Sequence, residues 1–318
     1  MHRRNRLLRP STACPRCHSA AGEPSKNIKG IVQELLHNDG VDSDLVGKAQ
    51  AGDREALDEL IRRHQPWLLH IAQRMLWNRA DAEDAAQEIL IKAVTHLSEF
   101  EQRSGFRTWL YRIAANHLLD RCRSNKTFAG VARGLNEIED SDIPDPNSMR
   151  LETALLVEEA KIACTVGILL CLEPRQRLAF IIGEILGMKD DAGSVVLGTT
   201  PANFRQILSR ARRELYGFLK QYCGLVNEAN PCRCARKAQG FIERGWVNPQ
   251  HLQFVEGRVG VVGQVATDRF HELQDLEQRY AEVFRCQPVV TPQAQSAALR
   301  RLLRETGLED SLELGSQG

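Results

Sequence analysis

Two neighbouring segments carry residue types that can contact a protein partner and a nucleic acid. Residues 79–88, RADAEDAAQE, crowd carboxylates into the first turns of a predicted helix. Residues 104–116, SGFRTWLYRIAAN, mix aromatic rings and arginines along another helix. Surfaces that hold unstacked bases combine these two kinds of side chain. The pair therefore predicts a protein-contact helix next to a helix that binds single-stranded nucleic acid.

The elements that must position these residues are helices, because the chain has helical spacing and no sustained two-residue alternation. Asp53 predicts an N-cap for a first helix that runs to about Trp77, with a kink at Pro66. This spacing predicts one buried face along the helix. Its residues are Ala56, Leu57, Leu60, Ile61, Leu68, Ile71, Ala72 and Met75.

Two further helices follow in this part of the chain. Asp81 with Asp84 approximates a capping box for a second helix that ends near Leu97. Ser104 predicts the cap of a third helix that runs to about Arg123. Three helices of this length predict a compact bundle.

The third helix divides into a predicted core face and a predicted contact face. Phe106 and Ile113 are expected in the core, whereas Trp109 is expected to be half exposed, as tryptophan often is. Arginines beside a half-exposed ring offer phosphate contacts and a stacking surface. The residues predicted to lie elsewhere on this helix are Arg107, Tyr111 and Arg112.

Residues 45–123 as a whole resemble the promoter-melting domain of bacterial RNA polymerase sigma factors, specifically the extracytoplasmic-function group. The resemblance implies that the acidic helix binds core polymerase and that the third helix captures flipped bases of the −10 element. A structural alternative for the carboxylates is that they only favour the helix dipole. The implied polymerase contacts are Asp81, Asp84, Gln87 and Glu88. The implied −10 contacts are Phe106, Arg107, Trp109, Tyr111, Arg112, Asn116 and Arg121.

A second helical unit begins near Leu151 and contains a helix-turn-helix pattern. The dipeptide at 173–174, GluPro, predicts a stop and the start of a helix over 175–186. A short helical segment over 189–197 and a turn at Gly198 follow. Thr200 is then the predicted cap, and Pro201 the first residue, of a recognition helix.

The recognition helix carries a basic face whose alternative explanation is a solvated helix surface. Residues near its start are predicted to reach base edges, and the later arginines are predicted to reach phosphates. In sigma factors this helix reads the −35 element. The implied −35 contacts are Thr200, Asn203, Arg205, Gln206, Ser209, Arg210, Arg212 and Arg213.

This unit departs from the sigma-factor pattern at three positions. Gly193 and Ser194 stand where an apolar residue and a small one are usual, and an interior glycine costs about 1 kcal/mol relative to alanine. Ile207 replaces a residue that is commonly basic. These differences predict a divergent −35 sequence or weak binding to it.

Composition and charge fit this prediction. A 318-residue chain with 42% hydrophobic and 26% charged residues is long enough for two or three globular domains. The net charge of +1 conceals basic segments at 1–29 and 205–213 and an acidic one at 137–145. Such segregation suits separate faces for DNA and for a protein. With no apolar run of membrane-spanning length and no signal core, the chain is predicted to be cytoplasmic.

The domain organisation predicted from these patterns is all-α. A basic, disordered tail (1–40) precedes sigma region 2 (41–125). An acidic flexible linker (126–150) then leads to sigma region 4 (151–222), which is predicted to be a helix-turn-helix, winged-helix-like unit. The C-terminal extension (223–318) is predicted to be mainly helical and regulatory, with helices near 268–284 and 292–306 and a frayed end at 308–318.

Nine cysteines in a cytosolic chain favour thiols or metal ligands over disulfides. Cys232 and Cys234 form a Cys-x-Cys turn that can present both sulfurs to zinc or copper, or anchor an exposed turn. Some sigma factors with cysteine-containing extensions sense metals. Cys164 is expected in the core, and 14–18, CysProArgCysHis, holds only half a zinc site. The residues that could complete such a site are Cys223, His251, His271 and Cys286.

The predicted function is transcription initiation: the protein binds core RNA polymerase, directs it to promoters and promotes their opening, with an anti-sigma factor as a candidate partner. No cofactor is required by this prediction. The alternative is a stand-alone helix-turn-helix regulator that acts on duplex DNA without polymerase. An enzyme is not predicted, because the chain has no Cys/His/Asp constellation and no HisGluxxHis spacing.

Overall fold

The computed structural model describes residues 39–124, 151–227, 229–250, 252 and 284. The all-α prediction is confirmed, since the described part of the chain contains helices and no strand. The predictions for the N-terminal tail, the acidic linker and the end of the extension lie outside the described residues. The helices are α1 (Asp39–Gln50), α2 (Arg54–Leu76), α3 (Arg79–Thr95), α4 (Phe106–Ser124), α5 (Leu151–Ile168), α6 (Pro174–Phe180), α7 (Asp190–Leu197), α8 (Pro201–Tyr222) and α9 (Cys234–Glu243).

Helix α2 begins and ends where the sequence predicts. The Asp53 side chain accepts hydrogen bonds from the backbone N–H groups of Glu55 (2.9 Å) and Ala56 (3.1 Å) and so caps the first turn. Pro66 lies inside this helix, which continues on both sides of it. The predicted apolar face is buried against α1, α3 and α4.

The starts of α3 and α4 differ from the predictions. Asn78 caps α3, because its side chain accepts from the backbone N–H of Asp81 at 3.1 Å; the predicted Asp81–Asp84 capping box is therefore wrong. Helix α4 begins at Phe106, and the carbonyl of Gly105 accepts from the backbone N–H of Trp109 at 3.2 Å. Gly105 thus occupies the N-cap position, one residue after the predicted cap Ser104.

A buried polar cluster ties α1 to α2. The Trp67 indole donates to Nδ1 of His64 at 2.9 Å, and His64 Nε2 lies 3.2 Å from Oδ2 of Asp42. Arg63 donates from Nε to Oδ1 of the same carboxylate at 2.9 Å. Burial acts to raise the pKa of Asp42, but His64 and Arg63 outweigh it and leave that pKa below its usual value.

The second unit follows the predicted helix-turn-helix. Pro174 is the first residue of α6, which continues through a wider π-helical segment, Ile181–Ile185, before the turn to α7. Gly198 ends α7 in the left-handed conformation, with φ of 60°. Thr200 caps α8 by accepting from the backbone N–H of Asn203 at 3.2 Å, and Pro201 is its first residue, as predicted.

Gly193 has a packing role that the sequence did not reveal. A Cβ atom at this position would lie 2.5 Å from Cζ of the Phe204 ring, which is completely buried. The glycine therefore lets α7 approach α8 closely. The close packing of α7 against Phe204 offsets the low helix propensity of this glycine. The prediction of weak binding to the −35 sequence therefore does not follow from Gly193 alone.

A buried arginine joins the two units. Helix α6 carries Arg177, which is 2% exposed, and its guanidinium donates to Met75 O of α2 at 2.6 Å. Burial lowers the pKa of Arg177 from its usual value. The other backbone carbonyls that accept from it are Leu169 (3.0 Å), Leu172 (3.1 Å) and Leu170 (3.3 Å). One side chain thus ties the C-terminal end of α2 to the turn that precedes α6.

The buried pair His70 and Arg74 in α2 predicts acid sensitivity. Arg74 Nη1 lies 2.7 Å from His70 Nδ1, and burial, followed by the charge of Arg74, holds the pKa of His70 well below 6.5. Burial also lowers the pKa of Arg74 to about 9. Below pH 6.5 the unfolded chain therefore binds more protons at His70 than the folded chain does, so stability is lost as pH falls.

We expect the free energy of unfolding to decrease between about pH 7 and about pH 5. In the variant His70→Gln this dependence should be weaker, whereas the exposed-site variant His96→Gln should retain it. Urea denaturation followed by circular dichroism at several pH values measures both. An unchanged pH dependence in His70→Gln would contradict the assignment.

Candidate nucleic-acid and polymerase interface

Helix α3 presents its carboxylates on one accessible face. Asp84 and Glu88 are exposed, Asp81 and Gln87 are half buried, and the alanines between them are buried in the core. The four residues predicted to contact polymerase therefore share a surface. Their role in binding stays a prediction.

Glu88 links this acidic surface to the predicted DNA-binding helix. Its carboxylate forms an ion pair with Arg121 of α4, and its Oε2 lies 3.3 Å from Nε2 of His117. Lys92 Nζ lies 2.9 Å from Nδ1 of the same ring. Burial, and then the charge of Lys92, lowers the pKa of His117. Sequence reasoning missed Lys92 and His117, whose helical spacing gives no signal of a contact between two helices.

Three of the predicted −10 contacts are buried, which corrects their assignment. Phe106, Arg107 and Tyr111 are 7%, 6% and 2% exposed. The Tyr111 ring stacks on Trp67 with 4.2 Å between ring centroids, and Arg107 Nη2 donates to the Tyr111 hydroxyl at 3.2 Å. These three side chains lie on the face of α4 that packs against α2, so they support the exposed face of α4 from the core.

The remaining α4 candidates are accessible. Arg112 and Asn116 are exposed, and Arg121 is partly exposed beside Glu88. Trp109 is half buried, as predicted, with its ring 5.1 Å from that of Phe100. A half-exposed aromatic ring flanked by polar and basic side chains can stack on a base, while the charged side chains contact phosphates.

Helix α8 presents the predicted −35 face to solvent. A shallow open groove is lined by Ala202, Arg205, Gln206, Ser209, Arg210 and Arg213. Arg205 is also paired with Asp190 at 3.2 Å, and Asn203 donates to the Thr199 hydroxyl at 2.6 Å. Both side chains remain exposed and lie at the start of the helix.

Three positions on α8 or at its N-cap depart from a simple DNA face. Arg212 donates from Nε to Oε2 of the buried Glu184 at 2.6 Å, so it stabilises the fold at that point. The Thr200 hydroxyl oxygen is used in the cap. Ile207 is partly buried and packs against the core, which accounts for an apolar side chain at this position.

The Cys-x-Cys turn lies at a cavity of about 340 Å³ between α5, α8 and α9. Its lining includes Cys164 and Cys223 as well as Cys232 and Cys234. Burial raises the pKa of Cys164 well above its usual value and that of Cys234 to about 12. In the described ranges no cluster of three or more Cys, His, Asp or Glu side chains is arranged to hold a metal ion. The metal prediction stays a prediction; positions 251, 271 and 286 lie outside the described residues.

The helices of the described part include none that is both long and apolar enough to cross a membrane.

Similarity to known proteins agrees with the geometry of both units. The family Sigma-70 region 2 matches residues 60–128. The RNA polymerase sigma factor NccH of Alcaligenes xylosoxydans xylosoxydans is 30% identical over 183 residues, which are 57% of this chain and 95% of NccH. The chain belongs to the RNA polymerase sigma factor family. Sigma-H of Pseudomonas aeruginosa is 32% identical over 184 residues, covering 55% of this sigma factor and 91% of the relative.

The sigma factor belongs to the extracytoplasmic-function group, as its sequence predicts. Among relatives with that description is SigM of Mycobacterium tuberculosis, 29% identical over 174 residues, with 55% of this chain and 82% of SigM covered. A solved structure of CnrH in complex with the cytosolic domain of CnrY is similar, with a TM-score of 0.42 and 23% identity, over 56% of this chain and 97% of CnrH. Because NccH and sigma-H show that the chain belongs to the RNA polymerase sigma factor family, the protein directs RNA polymerase to promoters for transcription initiation. The alternative of a stand-alone regulator is not favoured.

Proposed function

We propose that this sigma factor divides its task among three exposed helical faces. Helix α3 binds core RNA polymerase through Asp81, Asp84, Gln87 and Glu88. Helix α4 captures the −10 element, and α8 reads the −35 element. The observation that carries the proposal is that the acidic face of α3 and the basic face of α8 are both open to solvent. Residues 41–125 then correspond to sigma region 2 and residues 151–222 to sigma region 4.

On α4 we propose that exposed side chains bind the unpaired DNA strand of the −10 element. Trp109 offers a stacking surface, Arg112 and Arg121 offer charge to phosphates, and Asn116 offers an amide to a base edge. Stacking contributes about 1–3 kcal/mol per base, so binding of the exposed strand offsets the cost of unpairing. Phe106, Arg107 and Tyr111 hold this surface from within.

On α8 the proposed contacts divide by position. Asn203, Arg205 and Gln206 lie at the start of the helix and are suited to base edges in the major groove. Arg210 and Arg213, further along and exposed, are suited to phosphates. Ser209 lies in the same groove.

Arg213→Ala should weaken duplex binding to a similar degree on every −35 sequence, because a phosphate contact carries no sequence information. The slope of log K against log salt should fall by about one. Fluorescence anisotropy at several salt concentrations measures both quantities. Arg62→Ala, an exposed arginine on α2, is the matched control. A slope unchanged from wild type would contradict the phosphate assignment.

The decisive experiment for the division of labour is in vitro transcription with core polymerase on a genomic promoter library. The charge-removing variant Asp84→Asn, Glu88→Gln should lower affinity for core polymerase and initiation while leaving duplex −35 binding unchanged. Glu59→Gln on α2 is the matched control, since Glu59 forms a surface ion pair with Arg62. Tight duplex binding by the wild type without initiation on any promoter would favour the stand-alone regulator.

We also propose that the protein acts in the cytoplasm without enzymatic activity of its own and that an anti-sigma protein competes for its open faces. Cytoplasmic action follows from its partners, since polymerase and promoter DNA are there. The exposed α3 carboxylates support competition, because a protein that covers them blocks polymerase. Capture of a specific protein from the source organism, lost when core polymerase is added in excess, would support this partner.

A second proposal concerns the cavity beside α9, which we propose binds a soft metal ion such as copper or zinc. The specific observation in its favour is that four cysteines line one cavity, and thiolates are preferred by soft metals. Since no three of these side chains are arranged to hold an ion in the described ranges, binding would have to draw the sulfurs together. Metal binding would release the protons that the raised pKa values retain. The test is titration with Cu(I) or Zn(II). Cys232→Ser, Cys234→Ser should abolish stoichiometric binding, whereas Cys122→Ser, in the core of the first unit, should retain it; binding unchanged in the double variant would refute the site.

A further inference from the structure

Trp77, at the corner between α2 and α3, has a strained backbone. Its φ and ψ are 64° and −52°, an unusual combination for a bulky residue. The backbone N–H of Asn78 donates to the carbonyl of Leu76 at 2.7 Å, which closes a γ-turn of the rare type. Such a conformation persists only where surrounding contacts hold it.

The Trp77 backbone N–H also donates to the carbonyl of Gln73 at 3.0 Å, whereas the ring of Trp77 is contacted from outside the first unit. A Cβ on Gly167 of α5 would lie 2.4 Å from Cζ3 of the Trp77 ring, so only a glycine admits the ring there. On its other side Trp77 meets Trp246 of the C-terminal extension edge-on, with ring centroids 6.1 Å apart at 79°. Trp246 is itself packed edge-on against Phe241 of α9, at 5.3 Å.

The extension therefore contacts both DNA-binding units. Helix α9 packs on α5 through Ala238 and Phe241, while Trp246 reaches Trp77 of the first unit. Phe284 of the extension also contacts both units. Its carbonyl accepts a hydrogen bond from Arg74 of α2 at 3.3 Å, and its ring packs on that of Phe180 of α6, with 5.1 Å between ring centroids.

The two predicted DNA faces are close together in this arrangement. Helix α7 packs on α4, and α8 packs on α7, so the axes of the two predicted DNA-binding helices are at most about 20 Å apart, at 8–10 Å per packed pair. The −10 and −35 elements are separated by about 25 base pairs, or about 85 Å of duplex. One protein can occupy both elements only after the two units separate.

We propose that Trp246 and Trp77 form an intramolecular brace by which the C-terminal extension, in addition to the direct contact of Arg177 with Met75, keeps the two DNA-binding units together. When Trp246 withdraws, Trp77 loses its edge-on ring contact with the extension, which favours separation. The extension thus limits the fraction of molecules that can span a promoter. The structural part of this inference is independent of the proposed function; its effect on transcription rests on that function.

The test measures the distance between the units in the full chain. Dyes are attached through non-canonical amino acids at Ser98 and Gln221, which are exposed in the first and second unit. Trp246→Ala should lower the energy-transfer efficiency, and Trp246→Phe should restore most of it. Gly167→Ala should lower it without altering the extension, because the added methyl group displaces the Trp77 ring. Gly217→Ala, where a Cβ meets nothing within 4 Å, is the matched control and should resemble wild type.

Wild-type efficiency in both Trp246→Ala and Gly167→Ala, with helical content retained by circular dichroism, would overturn the brace. A change in Gly167→Ala alone would also overturn it, since Trp246 would then have no part. In transcription assays Trp246→Ala should raise initiation severalfold at limiting protein. Initiation equal to that of an active wild type would refute the regulatory effect, whereas an inactive wild type would refute the proposed function and leave the distance result standing.

Discussion

Arg177→Ala should lower the free energy of unfolding by about 3 kcal/mol, because it removes the buried donor to several backbone carbonyls and leaves a cavity. The affected carbonyls include Met75 at the end of α2, so the contact between the two units weakens as well. Arg177→Met fills much of the volume without donating hydrogen bonds. It should lose nearly as much stability as Arg177→Ala, because the hydrogen bonds contribute more than the filled volume. Urea denaturation followed by circular dichroism measures the difference.

Arg210→Ala is the control for Arg177, because Arg210 is an exposed arginine of the same unit. Its effect on stability should stay within about 0.5 kcal/mol. A loss below about 1 kcal/mol for Arg177→Ala would mean that water replaces the guanidinium at these carbonyls, which would contradict the stabilising role of Arg177.

Gly193→Ala should destabilise the helix-turn-helix by about 1–3 kcal/mol, although alanine is the better helix former. The new methyl group would overlap the Phe204 ring, whose nearest atoms lie 2.5–2.9 Å from the ideal Cβ position. Helix α7 must then move away from α8, and affinity for duplex −35 DNA should fall with stability. Thermal denaturation and fluorescence anisotropy measure the two effects.

Gly47→Ala in α1 is the matched control, because a Cβ there meets nothing within 4 Å. It should stabilise the protein by up to about 1 kcal/mol. Opposite signs for two glycine-to-alanine changes in helices would show that packing, not propensity, decides the effect at Gly193. Stabilisation by both changes would contradict the close approach of α7 to α8.

The two predicted DNA faces differ in how far their residues are exposed, and this difference affects how the protein could select promoters. The −35 face is already exposed, whereas part of the predicted −10 set supports the fold from the core. Glu88 and Arg121 are paired, so a polymerase contact at Glu88 would compete with the ion pair that holds Arg121. Exposed pairs of this kind contribute about 1 kcal/mol or less, which polymerase binding can readily displace.

Local sequence determined most helix boundaries and the family of this protein. Asp53, Thr200, Pro174 and Gly198 act through their own backbone neighbourhood, so their roles could be predicted without knowledge of the fold. The acidic and aromatic segments likewise predicted sigma region 2, because their spacing along a helix is a local property. Asn78, which caps α3 in place of the predicted Asp81–Asp84 box, was a local signal that was overlooked.

Only the tertiary structure decided which of those residues face solvent and which contacts join distant parts of the chain. Tyr111 and Arg107 are buried because α4 lies against α2, and one helix's periodicity cannot say where its neighbour sits. Gly193 is explained by a ring on the next helix. Arg177, Trp77 and the four cysteines of the cavity meet partners far along the chain. These long-range contacts depend on how the helices pack. The acidic and aromatic segments could therefore be recognised from the sequence, whereas the contacts that support them could not.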